Sequence, residues 1–195
     1  MKILMTGNPQ YGLAESWKKR HAGTYNVSTG ETYHTSFASR HNDYDLSIKE
    51  HQKRLAKDSL DYDVFINNSA LHEFNQLLLF KRVFDLWHEH NKPGRIINVG
   101  STIDRSAKAT TWLYPIEKKT LQTYSSQASQ LSIWAKEIPV MVSYISFGSL
   151  ATKAVDQKHP DRVLMPLERA CEVIKFIIDQ PKETLISEIR IDQVQ

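Results

Sequence analysis

The sequence predicts an α/β protein in which helices cover both faces of a parallel sheet of six to seven strands. Short Val/Ile/Leu runs alternate with longer helical segments along the 195-residue chain. Continuous apolar runs of this kind are typical of strands that are buried on both faces. Glycines and polar residues follow several of the runs, where parallel sheets bind their ligands. Because no linker or repeat interrupts the pattern, we expect residues 1–195 to form a single domain.

The predicted strands are short apolar or β-branched segments that end close to turn-forming residues. In chain order they are Lys2–Thr6, Tyr25–Thr29, a very short one at Tyr44–Ser47, Asp63–Asn67, Arg95–Gly100, Val140–Ser146 and Leu185–Ile191.

The predicted helices fill the intervals between these strands. They are Gly12–Ala22, Ile48–Ser59, Phe74–His90, Tyr114–Lys136 and Leu167–Gln180. Pro115 fits a helix only near its first turn, so this helix should begin at Tyr114. The helix Phe74–His90 carries apolar residues on more than one face, which predicts at least a dimer with this helix and Tyr114–Lys136 at its interface.

Composition argues against several classes of function. The 41% hydrophobic and 24% charged residues are ordinary for a globular protein, and the apolar stretch Leu77–Phe80 is far too short to span a membrane. The net charge is only +3 and the basic residues are scattered, so no nucleic-acid partner is expected. His88 and His90 lie on different faces of a helix, which disfavours a shared metal. The lone Cys171 and the lack of a signal peptide predict a cytoplasmic protein.

A set of polar residues points to acid–base chemistry. Ser101 follows a predicted strand, while Tyr114 and Lys118 are spaced to share one face of a helix. An ammonium beside a phenol favours the phenolate, so Lys118 should lower the pKa of Tyr114. A serine hydroxyl near the phenol could polarise a carbonyl placed between them. Tyr-x-x-x-Lys alone is a weak signal, because chance supplies it often.

Other polar bends follow the predicted strands. Thr6 to Ala14 joins a strand to a helix with Gly7 and Gly12, and such a loop either binds a pyrophosphate or is simply a turn that needs φ > 0. Asp45 either binds an adenine amino group or is a solvated loop residue. The segment Asn67–Ala70 has small residues that allow a ligand close to the backbone. Another bend runs from Gly148 to Thr152.

Taken in order, these residues resemble the short-chain dehydrogenase/reductase family. The family's Thr-Gly-x-x-x-Gly-x-Gly loop is similar to Thr6 to Ala14, and its Asn-Asn-Ala-Gly motif is similar to Asn67–Ala70. Its Asp-Val strand end resembles Asp45-Leu46, and its Pro-Gly-x-x-x-Thr resembles Phe147 to Thr152. The family's catalytic residues fall on Asn75, Ser101, Tyr114 and Lys118. The resemblance covers nearly the whole chain and implies a Rossmann-like, doubly wound sheet.

The resemblance implies hydride transfer between a nicotinamide cofactor and a small-molecule carbonyl or alcohol. Tyr114 would be the general acid/base, Lys118 would lower its pKa and bind the nicotinamide ribose, and Ser101 would hold the substrate oxygen. Asn75 would support a water leading from Lys118 toward solvent. The implied cofactor-binding residues are Gly7, Gly12, Leu13, Glu31, Asp45, Leu46, Asn68, Ser69, Ala70, Tyr114, Lys118, Gly148 and Thr152. A homodimer or homotetramer is implied as well.

The choice between NAD and NADP depends on the end of the second predicted strand. Gly30 stands where an NAD-preferring site places an acidic residue, and Glu31 is one position beyond. If Glu31 turns inward, NAD is favoured. If it turns outward, Arg40 and the hydroxyls of Ser28, Thr29 and Thr32 favour NADP. We favour NADP, because no acid stands at the strand end itself.

The chain also departs from the family pattern. It is shorter than typical members, and the connection after Ala70 is trimmed. The crossover Gly30–Asp43 is too short for a helix, and the expected substrate lid, Lys153–Pro166, is brief. A non-catalytic or regulatory dinucleotide-binding protein that retains this fold is therefore the alternative to an oxidoreductase.

Overall fold

A computed structural model describes residues 1–27, 29–105, 111–134, 140–158 and 161–194. The strands are β1 Lys2–Thr6, β2 Tyr25–Asn26, β3 Glu31–Thr32, β4 His34–Ala38, β5 Val64–Asn67, β6 Gly94–Ser101, β7 Val140–Phe147 and β8 Glu188–Ile191. The helices are α1 Gly12–Arg20, α2 Lys49–Asp58, α3 Asn75–Glu89, α4 Tyr114–Trp134, α5 Lys153–Lys158 and α6 Leu167–Ile178. Short 3₁₀ turns occupy residues 40–42, 59–61 and 102–105.

Six strands form one parallel sheet in the order β4-β1-β5-β6-β7-β8. The predicted α/β fold with a parallel, doubly wound sheet is therefore confirmed, at the lower of the two expected strand numbers. Strand β1 lies between β4 and β5. The chain thus winds outward from β1 in both directions.

Helix α4 begins at Tyr114, as Pro115 in its first turn requires. The predicted end of this helix, Lys136, lies outside the described residues. The other predicted helices agree with the structure within a few residues.

The prediction of the second strand is wrong. Tyr25 and Asn26 pair antiparallel with Glu31–Thr32 in a separate two-stranded hairpin, and Ser28 lies outside the described residues. The strand beside β1 is instead β4, in which exposed residues alternate with partly buried ones. An edge strand of this polarity has no continuous apolar run to mark it.

The predicted strand at Tyr44–Ser47 is also wrong, because this segment is a turn. The Asp45 carboxylate accepts hydrogen bonds from the Ser47 amide, 3.0 Å away, and from the Ser47 hydroxyl, 2.6 Å away. Side-chain bonds of this kind let Asp compete with a sheet ladder for the backbone. The sheet consequently ends at β4.

Helices cover the sheet on both faces and bury two apolar layers. Helices α1 and α6 pack over one face, which includes Ile3 and Ile97. Helices α2, α3 and α4 cover the other face, which includes Phe65 and Ile96. Full burial of each such side chain stabilises the fold by about 1.5–3 kcal/mol.

The apolar surplus of α3 is used inside the protomer. This helix lies between α2 and α4, and Phe80, Val83 and Trp87 are fully buried there. The indole of Trp87 donates to the Ser59 hydroxyl at 2.8 Å. Only Leu78 remains largely exposed among its large apolar residues. The surplus therefore reflects packing between helices of one chain, and it gives no reason to expect a partner on α3.

Within the described ranges, no helix is both long and apolar enough to cross a bilayer. The same residues contain no group of three His, Cys, Asp or Glu side chains arranged as metal ligands. The Cys171 thiol is buried in the layer beneath α6.

Candidate active site

The carboxyl ends of the parallel strands meet at one edge of the sheet. Thr6 ends β1, Asn67 ends β5, Ser101 ends β6 and Phe147 ends β7. The direction of winding reverses between β1 and β5, and an open parallel sheet binds ligands at such a switch point.

Thr6 binds the first turn to the segment after β5. Its hydroxyl accepts from the amides of Asn68, at 2.8 Å, and Ser69, at 2.9 Å. The side-chain amide of Asn68 donates to the Thr6 carbonyl at 3.0 Å. Gly7 has φ +130°, and a Cβ there would stand 2.7 Å from Asn68 Nδ2. Only glycine allows these two segments to approach so closely.

The start of α1 and the bend after β7 also come together. Gly12 has φ +56°, and a Cβ at this position would lie 3.6 Å from the Thr152 methyl group. No side chain caps α1, so N–H groups of its first turn are left to bind an anion. Leu13 is buried in the core, which leaves its backbone as the part that a ligand could contact. The Gly148 amide donates to the Ile191 carbonyl at 2.8 Å.

A cleft of about 660 Å³ lies beside this turn. Its lining includes residues from the β1 turn, the end of β4, the Asp45 turn and the segment after β5: Gly7, Asn8, Ser39, Arg40, His41, Tyr44, Asp45, Leu46, Ser47, Ser69, Ala70, Leu71, His72, Glu73 and Asn75. The predicted catalytic residues Ser101, Tyr114 and Lys118 are not part of this lining. The cleft therefore belongs to the β1–β4 side of the edge.

Arg40 and Asp45 form an ion pair in the lining of this cleft. Arg40 Nε lies 2.9 Å from Asp45 Oδ2, and the arginine side chain is largely exposed. Hydrogen bonds from Ser47 and the charge of Arg40 hold the pKa of the Asp45 carboxyl below its usual value. The carboxylate is thus ionised and already engaged in bonds within the protein.

Glu31 lies away from the cleft, contrary to the sequence prediction. Its carboxylate pairs with the amino group of Met1 at 3.2 Å, and the adjacent Thr32 carbonyl accepts from the same amine. Because β3 precedes β4, Glu31 stands at the amino ends of the strands. It is therefore on the wrong side of the sheet to contact a ligand in the cleft.

Ser101, Tyr114 and Lys118 are brought together as predicted from their spacing. The Ser101 side chain lies close enough to the Tyr114 phenol to lower its pKa. Lys118 follows one helical turn later, and its Nζ lies 5.3 Å from the centre of the Tyr114 ring. The indole of Trp112 stacks on the Tyr114 ring, with 5.0 Å between the ring centres.

Burial shifts the pKa values of Tyr114 and Lys118 in the directions that favour the neutral form of each group. Desolvation raises the pKa of Tyr114 above its usual value, although the interaction with Ser101 acts in the opposite direction. Desolvation lowers the pKa of Lys118 to about 8, against the attraction of the Glu117 carboxylate. The prediction that the pKa of Tyr114 is lowered by Lys118 is therefore wrong. This pKa is raised, because the burial of the phenol has the larger effect.

Several solved structures have a fold similar to that of this chain. A serine dehydrogenase complexed with NADP⁺ is 16% identical, with a TM-score of 0.70 over 98% of this chain and 94% of that chain. A 4-hydroxyisoleucine dehydrogenase complexed with NADH is 19% identical, with a TM-score of 0.71 over 98% and 97%. A short-chain dehydrogenase from Burkholderia cenocepacia in complex with NADP is 15% identical, with a TM-score of 0.69 over 96% and 86%.

The chain has the short-chain dehydrogenase/reductase fold. No family model and no curated protein sequence matches it. The likeness is therefore one of three-dimensional structure.

Within this short-chain dehydrogenase/reductase fold, Asn75 does not contact Lys118. Its side-chain nitrogen donates to the His72 carbonyl at 2.9 Å, and its oxygen accepts from Gln52 at 2.9 Å. The next residue, Gln76, takes the place beside the lysine, with Oε1 2.5 Å from Lys118 Nζ. Sequence reasoning missed Gln76, because a one-residue shift in a helix start changes which side chain turns inward.

Glu117 is a second functional candidate that the sequence did not reveal. Its buried carboxylate accepts a hydrogen bond from the Phe74 amide at 3.0 Å. Phe74 closes a segment, Ser69–Phe74, that we call the β5–α3 strap. Glu73 and Phe74 have φ values of 56° and 59°, in the left-handed region that non-glycine residues rarely adopt. Glu117 thus links the strap to the helix that carries Tyr114 and Lys118.

Buried polar contacts also hold the turn that follows Ser101. The Asp104 carboxylate accepts from the Tyr144 hydroxyl at 2.9 Å and from Arg190 Nη1 at 3.0 Å. A Cβ on Gly100 would lie 2.0 Å from the Tyr144 oxygen, so glycine is needed for this approach. The network ties the end of β6 to β7 and β8, and this fixes the backbone at Ser101.

Proposed function

We propose that the protein is an NAD(P)-dependent oxidoreductase of the short-chain dehydrogenase/reductase family, interconverting a carbonyl and an alcohol. The observation that carries this proposal is the arrangement of Ser101, Tyr114 and Lys118 at the carboxyl edge of the sheet. A hydroxyl, a phenol and an ammonium in this order can hold and protonate a substrate oxygen. The similar solved structures support the proposal, because they are named as dehydrogenases and reductases.

The residues at the sheet edge fit a nicotinamide dinucleotide. The Gly7 turn, the uncapped start of α1 and the cleft beside them suit a pyrophosphate and an adenosine. Asn68, Ser69 and Ala70 would line the middle of the cofactor, and Gly148 and Thr152 its nicotinamide end. When bound, the cofactor supplies the hydride.

The chain itself supplies orientation and a proton. Ser101 would donate a hydrogen bond to the substrate oxygen and hold it beside Tyr114. The raised pKa of Tyr114 keeps the phenol protonated, so its hydroxyl proton can pass to the oxygen of a carbonyl that is being reduced. The Lys118 ammonium would stabilise the phenolate left behind and bind the nicotinamide ribose. In the oxidation direction the phenolate would take the proton from the alcohol.

We infer a preference for NADP from the end of β4. Ser39 and Arg40 directly follow this strand and line the cleft, where the ribose of an adenosine would lie. No acidic residue stands in the sequence directly at this strand end, although the Asp45 carboxylate of the following turn pairs with Arg40, and Glu31 stands at the opposite end of the sheet. An exposed arginine at this point can bind a 2′-phosphate.

The substrate class is a small carbonyl or alcohol compound. Trp112 stacks on Tyr114 and is 56% exposed, so its indole offers an apolar surface beside the reacting position. We propose that the enzyme acts as a homodimer or homotetramer in the cytoplasm, where the reduced thiol of Cys171 would persist.

The decisive experiment measures cofactor consumption with a panel of aldehydes, ketones and alcohols, using wild type and Tyr114→Phe. The substitution removes the proton path and leaves the ring, so turnover should fall by at least about a thousandfold while NADPH affinity changes by less than about threefold. Tyr25→Phe, on the exposed hairpin, is the matched control and should keep full activity. Retained activity in Tyr114→Phe would refute the assignment. Tight NADPH binding with no turnover on any compound would favour the non-catalytic, regulatory alternative.

A further inference from the structure

Gln76 makes three hydrogen bonds at the buried base of the catalytic lysine. It is the second residue of α3 and only 4% exposed. Its Nε2 donates to the backbone carbonyls of Asn67 and Val99, each at 2.9 Å. Its Oε1 lies 2.5 Å from Lys118 Nζ. Every hydrogen-bonding group of the side-chain amide except one lone pair is therefore used.

The orientation of this amide is fixed by its neighbours. The two backbone carbonyls can only accept, so they require the NH₂ group of Gln76. The ammonium can only donate, so it requires the oxygen. Reversal of the amide would break all three bonds at once. Gln76 thus presents an acceptor to Lys118 in one defined direction.

A chain of buried polar groups holds Gln76 in place. Asn67 Nδ2 donates to the Gln76 carbonyl at 3.0 Å and to Asn98 Oδ1 at 2.9 Å. Asn98 Nδ2 donates in turn to the Ser125 hydroxyl on α4 at 3.0 Å. Asn67, Asn98 and Ser125 are fully buried. Both the backbone and the side chain of Gln76 are therefore fastened to the sheet.

Lys118 depends on this acceptor more than an exposed lysine would. Its side chain is almost completely buried, and the second described acceptor of its ammonium, the Val99 carbonyl, is 3.4 Å away. A buried ammonium is stable only when its hydrogens are bonded. The Gln76 oxygen takes one hydrogen and leaves the others for the Val99 carbonyl and for a ligand above Tyr114.

We propose that Gln76 is the positioning residue of Lys118 in this protein, taking one hydrogen of its ammonium so that Nζ stays charged and directed at Tyr114. The catalytic meaning of this assignment rests on the proposed function. Asn75, one residue earlier, bonds to Gln52 and His72 and contributes nothing to the lysine. A carboxamide oxygen accepts a hydrogen bond without passing a proton on, so Gln76 orients Lys118 but does not relay protons.

The test is a double-mutant cycle of Gln76→Met and Lys118→Met, read by urea unfolding at pH 6.5 and pH 9.5. Loss of donors for the Asn67 and Val99 carbonyls affects both backgrounds equally and cancels in the cycle. At pH 6.5 the lysine is charged, and we expect a coupling of at least about tenfold in the folding equilibrium constant. At pH 9.5 the coupling should fall below about threefold. Additive effects at pH 6.5 would overturn the proposal.

If Gln76→Met does not fold, NMR of the unsubstituted protein gives the answer. The side-chain NH₂ resonances of Gln76 should shift as Lys118 titrates, and the shift should vanish in Lys118→Met. Resonances that stay unchanged through this titration would also overturn the proposal. Neither measurement needs a cofactor, so their outcome is separate from that of the proposed function.

The functional readout is NADPH affinity as a function of pH. In Gln76→Met the ammonium loses its acceptor, so the pKa of Lys118 should fall. The decrease of NADPH affinity with rising pH should therefore occur about one pH unit lower than in wild type. This shift should be absent from the Lys118→Met background, whereas a merely structural defect would lower affinity equally at every pH. If wild type binds neither NADPH nor NADH, the proposed function fails, and the folding cycle still decides whether Gln76 acts on Lys118.

Discussion

At the scale of single residues, Tyr114 and Lys118 share one environment and respond to it in opposite senses. Burial raises the pKa of the phenol and lowers that of the ammonium. Both groups are pushed toward their neutral forms, so a proton lies on the tyrosine near neutral pH. This state suits reduction of a carbonyl, in which the first demand on the protein is for an acid.

The buried lysine predicts a particular dependence of stability on pH. Its pKa in the folded protein is about 8, below the value of about 10.5 of an exposed lysine. Between these values the unfolded chain binds more protons, so stability rises with pH across this range. From pH 7 to pH 11, wild type should gain about 3 kcal/mol in unfolding free energy relative to Lys118→Met, as measured by urea unfolding.

The matched control for this measurement is Lys119→Met. Lys119 is the next residue on α4 and is exposed. Its substitution should leave the pH dependence of wild type unchanged. A wild type whose stability relative to Lys118→Met does not change between pH 8 and pH 10.5 would show that the lysine has an ordinary pKa.

Glu117 predicts a difference between two substitutions of one side chain. Glu117→Ala leaves the Phe74 amide without its acceptor and should lower the unfolding free energy by about 1–3 kcal/mol. Glu117→Gln keeps an oxygen for this amide and should preserve most of the stability. However, loss of the charge should move the pKa of Lys118 further down, since Glu117 supports the ammonium. Urea unfolding measures the first effect, and the exposed Glu183→Ala is the control. Equal stability of all three variants would exclude this role of Glu117.

Sequence reasoning found some of these residues and missed others for a physical reason. Tyr114 and Lys118 are related by helix periodicity, which is a local property. Gln76 and Glu117 became candidates only because tertiary packing buried their polar groups beside the lysine. Glu31 was assigned to the cofactor because the strand before it was misplaced, which shows that an error in one element transfers to the residues attached to it.

At the scale of elements, the proposed preference for NADP depends on β4. It lies at the edge of the sheet and alternates exposed and partly buried residues, so it carries little apolar signal. The hairpin before it contains more β-branched and aromatic residues, and the second strand was therefore predicted there instead. Strands β5, β6 and β7 were predicted nearly to the residue, because they are buried on both faces.

The position of Arg40 directly after β4 predicts the effect of removing it. Arg40→Ala should weaken NADPH binding by at least about tenfold, or 1.4 kcal/mol, and leave NADH binding within about twofold. The control is Arg54→Ala, since Arg54 stacks on Tyr44 near the same cleft but bonds to a backbone carbonyl. Fluorescence titration of wild type and both variants with each reduced cofactor measures these affinities. Tighter binding of NADH than of NADPH by wild type would contradict the proposed preference.

At the scale of the whole molecule, α4 rather than α3 offers an apolar surface to a second copy. Ile116, Leu131, Ile133 and Trp134 are each about half exposed or more. We predict at least a dimer at micromolar concentration, with α4 at its interface, measured by light scattering. Trp134→Glu should shift the population toward monomer, because it would bury a charge in the contact. Leu78→Glu on α3 is the control and should have no effect. A monomeric wild type would refute the prediction.

The overall architecture was predictable because it depends on patterns that repeat along the chain. Buried strands, helix periodicity and the order of the polar bends together determined the parallel sheet and the edge that carries the site. The identity of the edge strand was not predictable, because it depends on a turn at Asp45 and on polar residues whose place is decided by tertiary contacts.

The β5–α3 strap has a consequence for local opening of the protein. Two consecutive left-handed residues cost of order 1–3 kcal/mol each, and the Phe74–Glu117 bond is one of the contacts that oppose this cost. The strap should therefore separate from α4 more readily than the sheet unfolds. Hydrogen exchange at the Phe74 amide should be much faster than at the Phe65 amide in β5. Binding of a dinucleotide should slow exchange at the Phe74 amide. The strap would then open and close locally over the site, with the Glu117 carboxylate holding the closed form.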